Sequence, residues 1–330
     1  LFAIKRWHTL VGVNRTAGKQ ESEGRRAARG AVVVTGASTG IGRATALALV
    51  GAGYQVLAGV RRSADGEALR SSTEGRVTPL ILDVTDAASV AAAAAEAAHL
   101  VGADGIVGLV NNAGVGSSAP METIPVPALR EVYDVNVFGQ VEVIQAFLPL
   151  LRRAAGTMIN IGSIGDRLTM PFGGPLTSSK WAFASITEAL RLELRPWGIH
   201  VVLVEPATIS TPAVGKVEVE ARRVLEQFSD DDRVRYAEAY RSMTRRAVAR
   251  ERDGSSPDVV AAVVLRALTA RRPRTRYLVG KNARRLALLA RWAPDPVFDR
   301  IRIRLFGLPT GFGAARADAP RLVTTGGGER

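Results

Sequence analysis

The chain has 330 residues, 47% of them hydrophobic, with no cysteine and a formal net charge of +13. That length and apolar content suffice for one large α/β domain with additions, and the lack of cysteine excludes a disulfide scaffold. No run of about 18 uninterrupted apolar residues occurs, so a membrane-spanning helix is not expected. The basic excess falls in residues 1–30 and 216–330, whereas 31–215 is slightly acidic. A nucleic-acid cleft across the middle of the chain is therefore unsupported. The arginines of the last third either attract an anionic surface or form an ordinary solvated face.

Residues 1–30 are polar and basic after the first dozen and are expected to have little fixed structure. Leu1-Phe2-Ala3-Ile4 is interrupted at once by Lys5 and Arg6, which does not read as a signal peptide, and a cytoplasmic location is expected. An apolar strand, Val32-Val33-Val34, then runs into Thr35-Gly36-Ala37-Ser38-Thr39-Gly40-Ile41-Gly42 and a helix rich in alanine and leucine. Such a strand, turn and helix can cradle a pyrophosphate. Gly36 permits the tight turn, Gly40 lets the backbone approach, Gly42 packs helix on strand, and the helix N-terminus offers free N–H groups. Taken alone, a glycine-rich turn can also be only a turn.

Further strands are predicted near 54–59, 77–82, 106–110, 157–161, 199–204 and 275–279, with helices between them. The pattern predicts an α/β fold with a doubly wound parallel sheet of about seven strands, of Rossmann type. Ala91 to Ala95 reads as helix because alanine has the highest helix propensity. Residues 128–152 place Leu129, Val132, Tyr133, Asn136, Gln140, Val141 and Ile144 at helical spacing on one face. Asn136 in that apolar stripe needs partners, whether as a helix-bending residue or as a functional one. Polar and glycine residues cluster where strands end: Asn111-Asn112-Ala113-Gly114 after the fourth, Ser163 after the fifth, Lys180 in the next helix, and Glu205 to Thr211 after the sixth. Open α/β sheets bind their ligands there.

With these motifs in order, residues 31–280 resemble the short-chain dehydrogenase/reductase family. The resemblance implies a nicotinamide dinucleotide held by Gly36, Ser38, Thr39, Gly40, Ile41, Gly42, Arg61, Asp83, Val84, Asn111, Ala113, Gly114, Lys180, Pro206, Ile209 and Thr211. It also implies a catalytic set of asparagine, serine, tyrosine and lysine. Asn136, Ser163 and Lys180 supply three members. The tyrosine position, four residues before the lysine, is Leu176, which has no proton to give. A tyrosine and a lysine four apart meet on one helix face, so that the ammonium can stabilise the phenolate. At the end of the second strand no acid is present and Arg61 follows, which favours NADP over NAD because a guanidinium suits a 2′-phosphate; adjacent surface arginines are also common. Asp83 is either an adenine contact or a capping carboxylate.

Residues 212–252 carry Val224, Leu225, Phe228, Tyr236, Tyr240 and Met243, an apolar cover suited to a lipophilic alcohol or ketone, or else plain helix packing. Residues 281–310 alternate leucine, tryptophan and phenylalanine with arginine, resembling the extensions of retinol- and steroid-type members. They are expected to lie on a membrane surface, on the protein itself or on a second copy in a homo-oligomer. Residues 311–330 are expected to be a disordered tail. His8, His99 and His200 have no metal-ligand spacing, so no metal is expected. Two readings stand: an NADP(H)-dependent oxidoreductase impaired by Leu176, or a cofactor-binding pseudoenzyme acting as a sensor or interaction protein.

Overall fold

The structure, a computed structural model, describes residues 29–309. The expectations for residues 1–28 and 310–330 lie outside the described residues. In chain order, β1 (Ala31–Val34) leads to α1 (Gly40–Gly51), β2 (Gln55–Val60) to α2 (Ser63–Ser71), and β3 (Val77–Ile81) to α3 (Ala87–Val101). Next come β4 (Ile106–Asn111), α4 (Val126–Tyr133), α5 (Gly139–Arg153), β5 (Thr157–Ile161), α6 (Gly174–Glu193) and β6 (His200–Pro206). The chain then forms α7 (Ala213–Glu226), α8 (Asp230–Arg252), α9 (Asp258–Thr269), β7 (Arg276–Val279), α10 (Ala283–Trp292) and α11 (Asp295–Phe306).

The seven strands form one sheet in the order β3-β2-β1-β4-β5-β6-β7, every neighbouring pair parallel. Helices cover both faces, which is why β1 and β5 are buried at every residue and read as nearly continuous apolar runs. Alternate residues of one strand serve opposite layers. Val33 joins Leu57, Leu109, Phe147, Leu151 and Phe183 on one face, while Val32 and Val34 join Leu49, Val56, Val260 and Val264 on the other. Each such side chain contributes about 1.5–3 kcal/mol by leaving water. The strand order reverses between β1 and β4, and that switch opens the crevice at their carboxyl ends.

Local chemistry sets the helix limits. Asp86 caps α3 by accepting from the N–H groups of Ala88 (2.9 Å) and Ser89 (3.3 Å), an arrangement worth about 1 kcal/mol. The alanine run then continues to Gly102, whose φ of 56° ends it. The single helix expected over 128–152 is instead three pieces. Between α4 and α5, Asp134–Phe138 forms a π-helical turn. Two side contacts account for the break: Asn136 is drawn to the backbone of Val115, and Gly139 sits so close to the carbonyl of Val84 that a Cβ there would lie 2.4 Å away. Two strands also run further than expected, so Asn111 and Pro206 belong to β4 and β6 rather than to the loops after them.

The predicted cover over the substrate side is α7 and α8, whose buried Ala221, Tyr240 and Met243 pack with Phe306 of α11 and with Leu308 just after it. The extension therefore docks on this cover. Its α10 leaves Leu288 and Trp292 exposed. Among the described residues, no helix is long and apolar enough to cross a membrane.

Candidate active site

The glycine turn after β1 is fixed to the end of β4 by a small hydrogen-bond lattice. Thr35 Oγ1 accepts from the N–H groups of Asn112 and Ala113, each at 3.0 Å. Asn112 Nδ2 donates back to the carbonyls of Thr35 (3.0 Å) and Gly36 (3.2 Å). Gly36 adopts φ +62°, a left-handed conformation that glycine takes without steric cost. A Cβ on Gly42 would stand 2.2 Å from the Gly36 carbonyl oxygen and 2.5 Å from Asn112 Nδ2. The backbone of α1 thus approaches the turn as closely as it can, and its N-terminus has no side-chain cap, leaving first-turn N–H groups for an anion.

A cavity of about 300 Å³ opens over this turn. Of the residues expected to hold a dinucleotide, Gly36, Ser38, Thr39, Gly40, Ile41, Arg61, Asp83, Val84, Ala113, Gly114 and Thr211 line it. Gly42 lies beneath the turn. Asn111 is buried in the sheet and donates through Nδ2 to Asn160 Oδ1 at 2.8 Å, while Pro206 ends β6 and the buried Ile209 packs in the apolar layer. Asn112, named in the Asn111 to Gly114 motif, lines the cavity too, whereas the lattice member Thr35 and the wall residues Thr85, Val115, Val135, Ala213 and Lys216 are not singled out by the sequence. The adjacency of Thr35 to Gly36 is the available signal. Asp83 Oδ1 accepts from the N–H (3.0 Å) and hydroxyl (2.8 Å) of Thr85, and the first of these chiefly holds its carboxyl below the usual range.

The polar group expected to do chemistry gathers at the carboxyl ends of β4 and β5. Asn136, fully buried, accepts from Val115 N–H at 2.9 Å and donates through Nδ2 to Val115 O and Ser179 Oγ, both at 3.0 Å. Its partners satisfy it, and the π turn is what aims it there. Gln140 Nε2 supports the same loop by donating to Ala113 O at 2.8 Å. Lys180, on α6, donates from Nζ to Ile161 O at 3.1 Å. A Cβ on Gly114 would lie 3.3 Å from Asn136 Oδ1 and 3.7 Å from Lys180 Nζ. The asparagine oxygen and the ammonium therefore both flank Gly114, a residue of the cavity wall. Burial lowers the Lys180 ammonium to about 8, against a smaller upward pull from Asp166.

Ser163 ends the loop after β5 and accepts at Oγ from Gly165 N–H at 3.0 Å, so its hydroxyl hydrogen stays free to donate. Leu176 stands one helical turn before Lys180 on α6, half-buried and aliphatic. No other tyrosine of the cover replaces it. Tyr240 donates to Ser118 O at 2.8 Å and burial raises its phenol; Tyr236 donates to Glu122 and is raised by that bond. Both hydroxyls fasten α8 to the loop after β4.

Beneath the Ser163 turn lies an ionic cluster that composition did not announce. The buried Glu205 meets Arg167 Nε at 2.5 Å and Arg276 NH1 at 2.7 Å, and Arg276 reaches Glu188 at 2.9 Å. The neighbouring Asp166, also buried, is pushed up to about 8 by burial and then by Glu205. Asp166 is thus a neutral carboxylic acid below that pH. Among the described residues no cluster of side chains suits a metal ion.

The geometry matches known proteins. The short chain dehydrogenase family model covers residues 30–222. The chain is 34% identical, over 82% of its length and 94% of the relative's, to an NADPH-dependent 3-dehydrocapnine reductase of Ornithobacterium rhinotracheale. It is 33% identical, over 77% of its length and 81% of the relative's, to human dehydrogenase/reductase SDR family member 9. Among solved structures, a short-chain dehydrogenase from Streptomyces avermitilis superposes with a TM-score of 0.67 at 27% identity, over 86% of this chain and 96% of that one. One from Burkholderia cenocepacia in complex with NADP gives 0.62 at 28% identity, over 82% and 97%. A glycine turn locked to β4 under a cavity at the carboxyl ends of the strands agrees with those matches: the chain belongs to the short-chain dehydrogenase/reductase family of oxidoreductases.

Proposed function

We propose that the chain binds NADP(H) in preference to NAD(H) and interconverts a lipophilic ketone and alcohol, with turnover limited by Leu176. The observation that carries this reading is that Asn136 and Lys180 both flank Gly114 of the cofactor cavity, which fits a catalytic set kept around a missing phenol. When bound, the dinucleotide supplies or accepts hydride at its nicotinamide. The chain's residues then have separate tasks. The glycine turn and the α1 N-terminus hold the pyrophosphate, and Arg61 on the cavity wall meets a 2′-phosphate with a guanidinium fork where an acid would repel it. Ser163 donates to the substrate oxygen, and Lys180 orients the nicotinamide-side ribose. A relative named for NADPH-dependent reduction and a solved relative holding NADP support the same cofactor. A relative named estradiol 17-beta-dehydrogenase 2 and another named retinol dehydrogenase 5 support a lipophilic substrate and the retinol- and steroid-type branch.

Leu176 itself favours a second reading, a cofactor-binding pseudoenzyme. The two separate on one experiment: NADPH binding by calorimetry together with NADPH oxidation by the purified chain over a panel of lipophilic ketones. Binding with slow turnover supports the first reading, binding with none supports the second, and no binding refutes both. The exposed Leu288 and Trp292, beside Arg284, Arg285 and Arg291, support peripheral contact of α10 with an anionic membrane. Flotation with anionic and neutral vesicles tests this, and equal recovery with both refutes it.

A further inference from the structure

Lys216 lines the same 300 Å³ cavity as Arg61 but comes from a different part of the fold, the covering helix α7. Asp65, at the start of α2, feels the positive charge of both Arg61 and Lys216, which places both cations toward the β2 and α2 end of the cavity. Asp65 is itself matched by Arg62 at 2.8 Å. Among the described residues neither Arg61 nor Lys216 is held in an ion pair. The carboxylate on this wall, Asp83, accepts from Thr85 and also feels the charge of Arg61. Two cations from separate elements, neither in a close ion pair though Arg61 also faces Asp83, thus flank one end of a dinucleotide cavity.

We infer that Lys216 is a second cation for the 2′-phosphate, closing from α7 over the group that Arg61 meets from the sheet. This rests on the NADP reading above and adds a specificity residue to it. A phosphate monoester carries about −1.5 to −2 charges at pH 7 and three acceptor oxygens, so one guanidinium fork leaves charge and acceptors for an ammonium. The geometry of α7 extends the consequence. At about 100° per residue, Ala213, Lys216, Glu220 and Val224 form one stripe. The first two line the dinucleotide cavity. Glu220 and Val224 line a second cavity of about 240 Å³, walled also by Ala119, Ile124 and Phe228. One face of α7 therefore borders both cavities.

The test is calorimetric titration of NADPH and NADH into the full chain and its Lys216→Gln, Lys216→Arg and Arg61→Gln variants. Lys216 is exposed, so the substitution leaves the fold intact, which thermal denaturation checks. The expected result is a loss of NADPH affinity of about tenfold in Lys216→Gln, with NADH unchanged and Lys216→Arg close to the parent. If Arg61→Gln discriminates between the cofactors and Lys216→Gln does not, the role of Lys216 is overturned and the NADP reading stands. If Lys216→Gln weakens both cofactors equally, Lys216 is not a specificity residue. If the parent chain itself shows no preference for NADPH, the NADP reading has failed, and the inference with it.

Discussion

Replacing Leu176 by tyrosine tests whether the lost phenol is what limits this site. Positions 176 and 180 lie one turn apart on α6, so a phenol at 176 comes within reach of the Lys180 ammonium. That ammonium titrates at about 8 and is charged in most molecules at pH 7, so it favours the phenolate over the phenol's ordinary value of about 10. Leu176 is half-buried rather than enclosed and belongs to none of the packed apolar layers. A positioned general acid contributes about 10²–10⁴-fold in rate, or about 3–5 kcal/mol off the barrier. Leu176→Tyr is expected to raise kcat for ketone reduction by that factor while the affinity for NADPH stays within about twofold. The assay is steady-state NADPH oxidation by both proteins over one panel of lipophilic ketones. Fast turnover by the parent chain would show that another group supplies the proton. NADPH binding in both proteins with no gain from the tyrosine would show that the pocket has lost its proton path.

Four further outcomes are expected. Arg61→Asp reverses the cofactor preference, and equal calorimetric affinities of NADP and NAD for the parent chain contradict that. Gly42→Ala drives a methyl into the Gly36 carbonyl and Asn112, lowering stability by about 1–3 kcal/mol and weakening cofactor binding; an unchanged melting temperature refutes the close approach. Asp166, about 8 in the fold against about 4 in the unfolded chain, stabilises the fold fully only below pH about 4 and loses that contribution as pH rises to about 8. Lys180, lowered to about 8, adds no slope below that pH, so Asp166→Asn should flatten this window and stabilise the protein at pH 7 by about 1–3 kcal/mol; identical urea-denaturation profiles from pH 4 to 8 rule this out. A chain ending at Gly280 loses Phe306 and Leu308 from the cluster around Tyr240 and Met243 and should melt at lower temperature, and equal stability with unchanged liposome association refutes a role for the extension.

Most of the sheet was legible because a parallel strand covered on both faces must be apolar throughout, and such runs stand out between polar turns. The glycine turn was legible because only glycine suits its left-handed and close-packed positions. What the sequence concealed depended on contacts distant along the chain. Asn111 and Asn112 are chemically identical, yet one pairs with Asn160 inside the sheet and the other locks Thr35; only the end of β4 decides between them. Lys216 is one basic residue among many until α7 folds over the cavity. Periodicity could not reveal the π turn, because residues on both sides of it keep ordinary helical spacing. The acid cluster stayed hidden for a similar reason: Asp166, Arg167, Glu205 and Arg276 come from three separate stretches.

The widened turn at Asp134–Phe138 also acts as a slip in phase. One extra residue in a helical path rotates everything beyond it by about 100° relative to a continuous α-helix. Phe147 and Leu151 keep their grip on the sheet because α5 has its own rotational setting. The preceding helix takes a different one, with Val132 buried and Ala128 on the wall of the second cavity. The segment works as two cylinders joined by a coupling, and Asn136 sits in the coupling, held by the loop on one side and by Ser179 of α6 on the other.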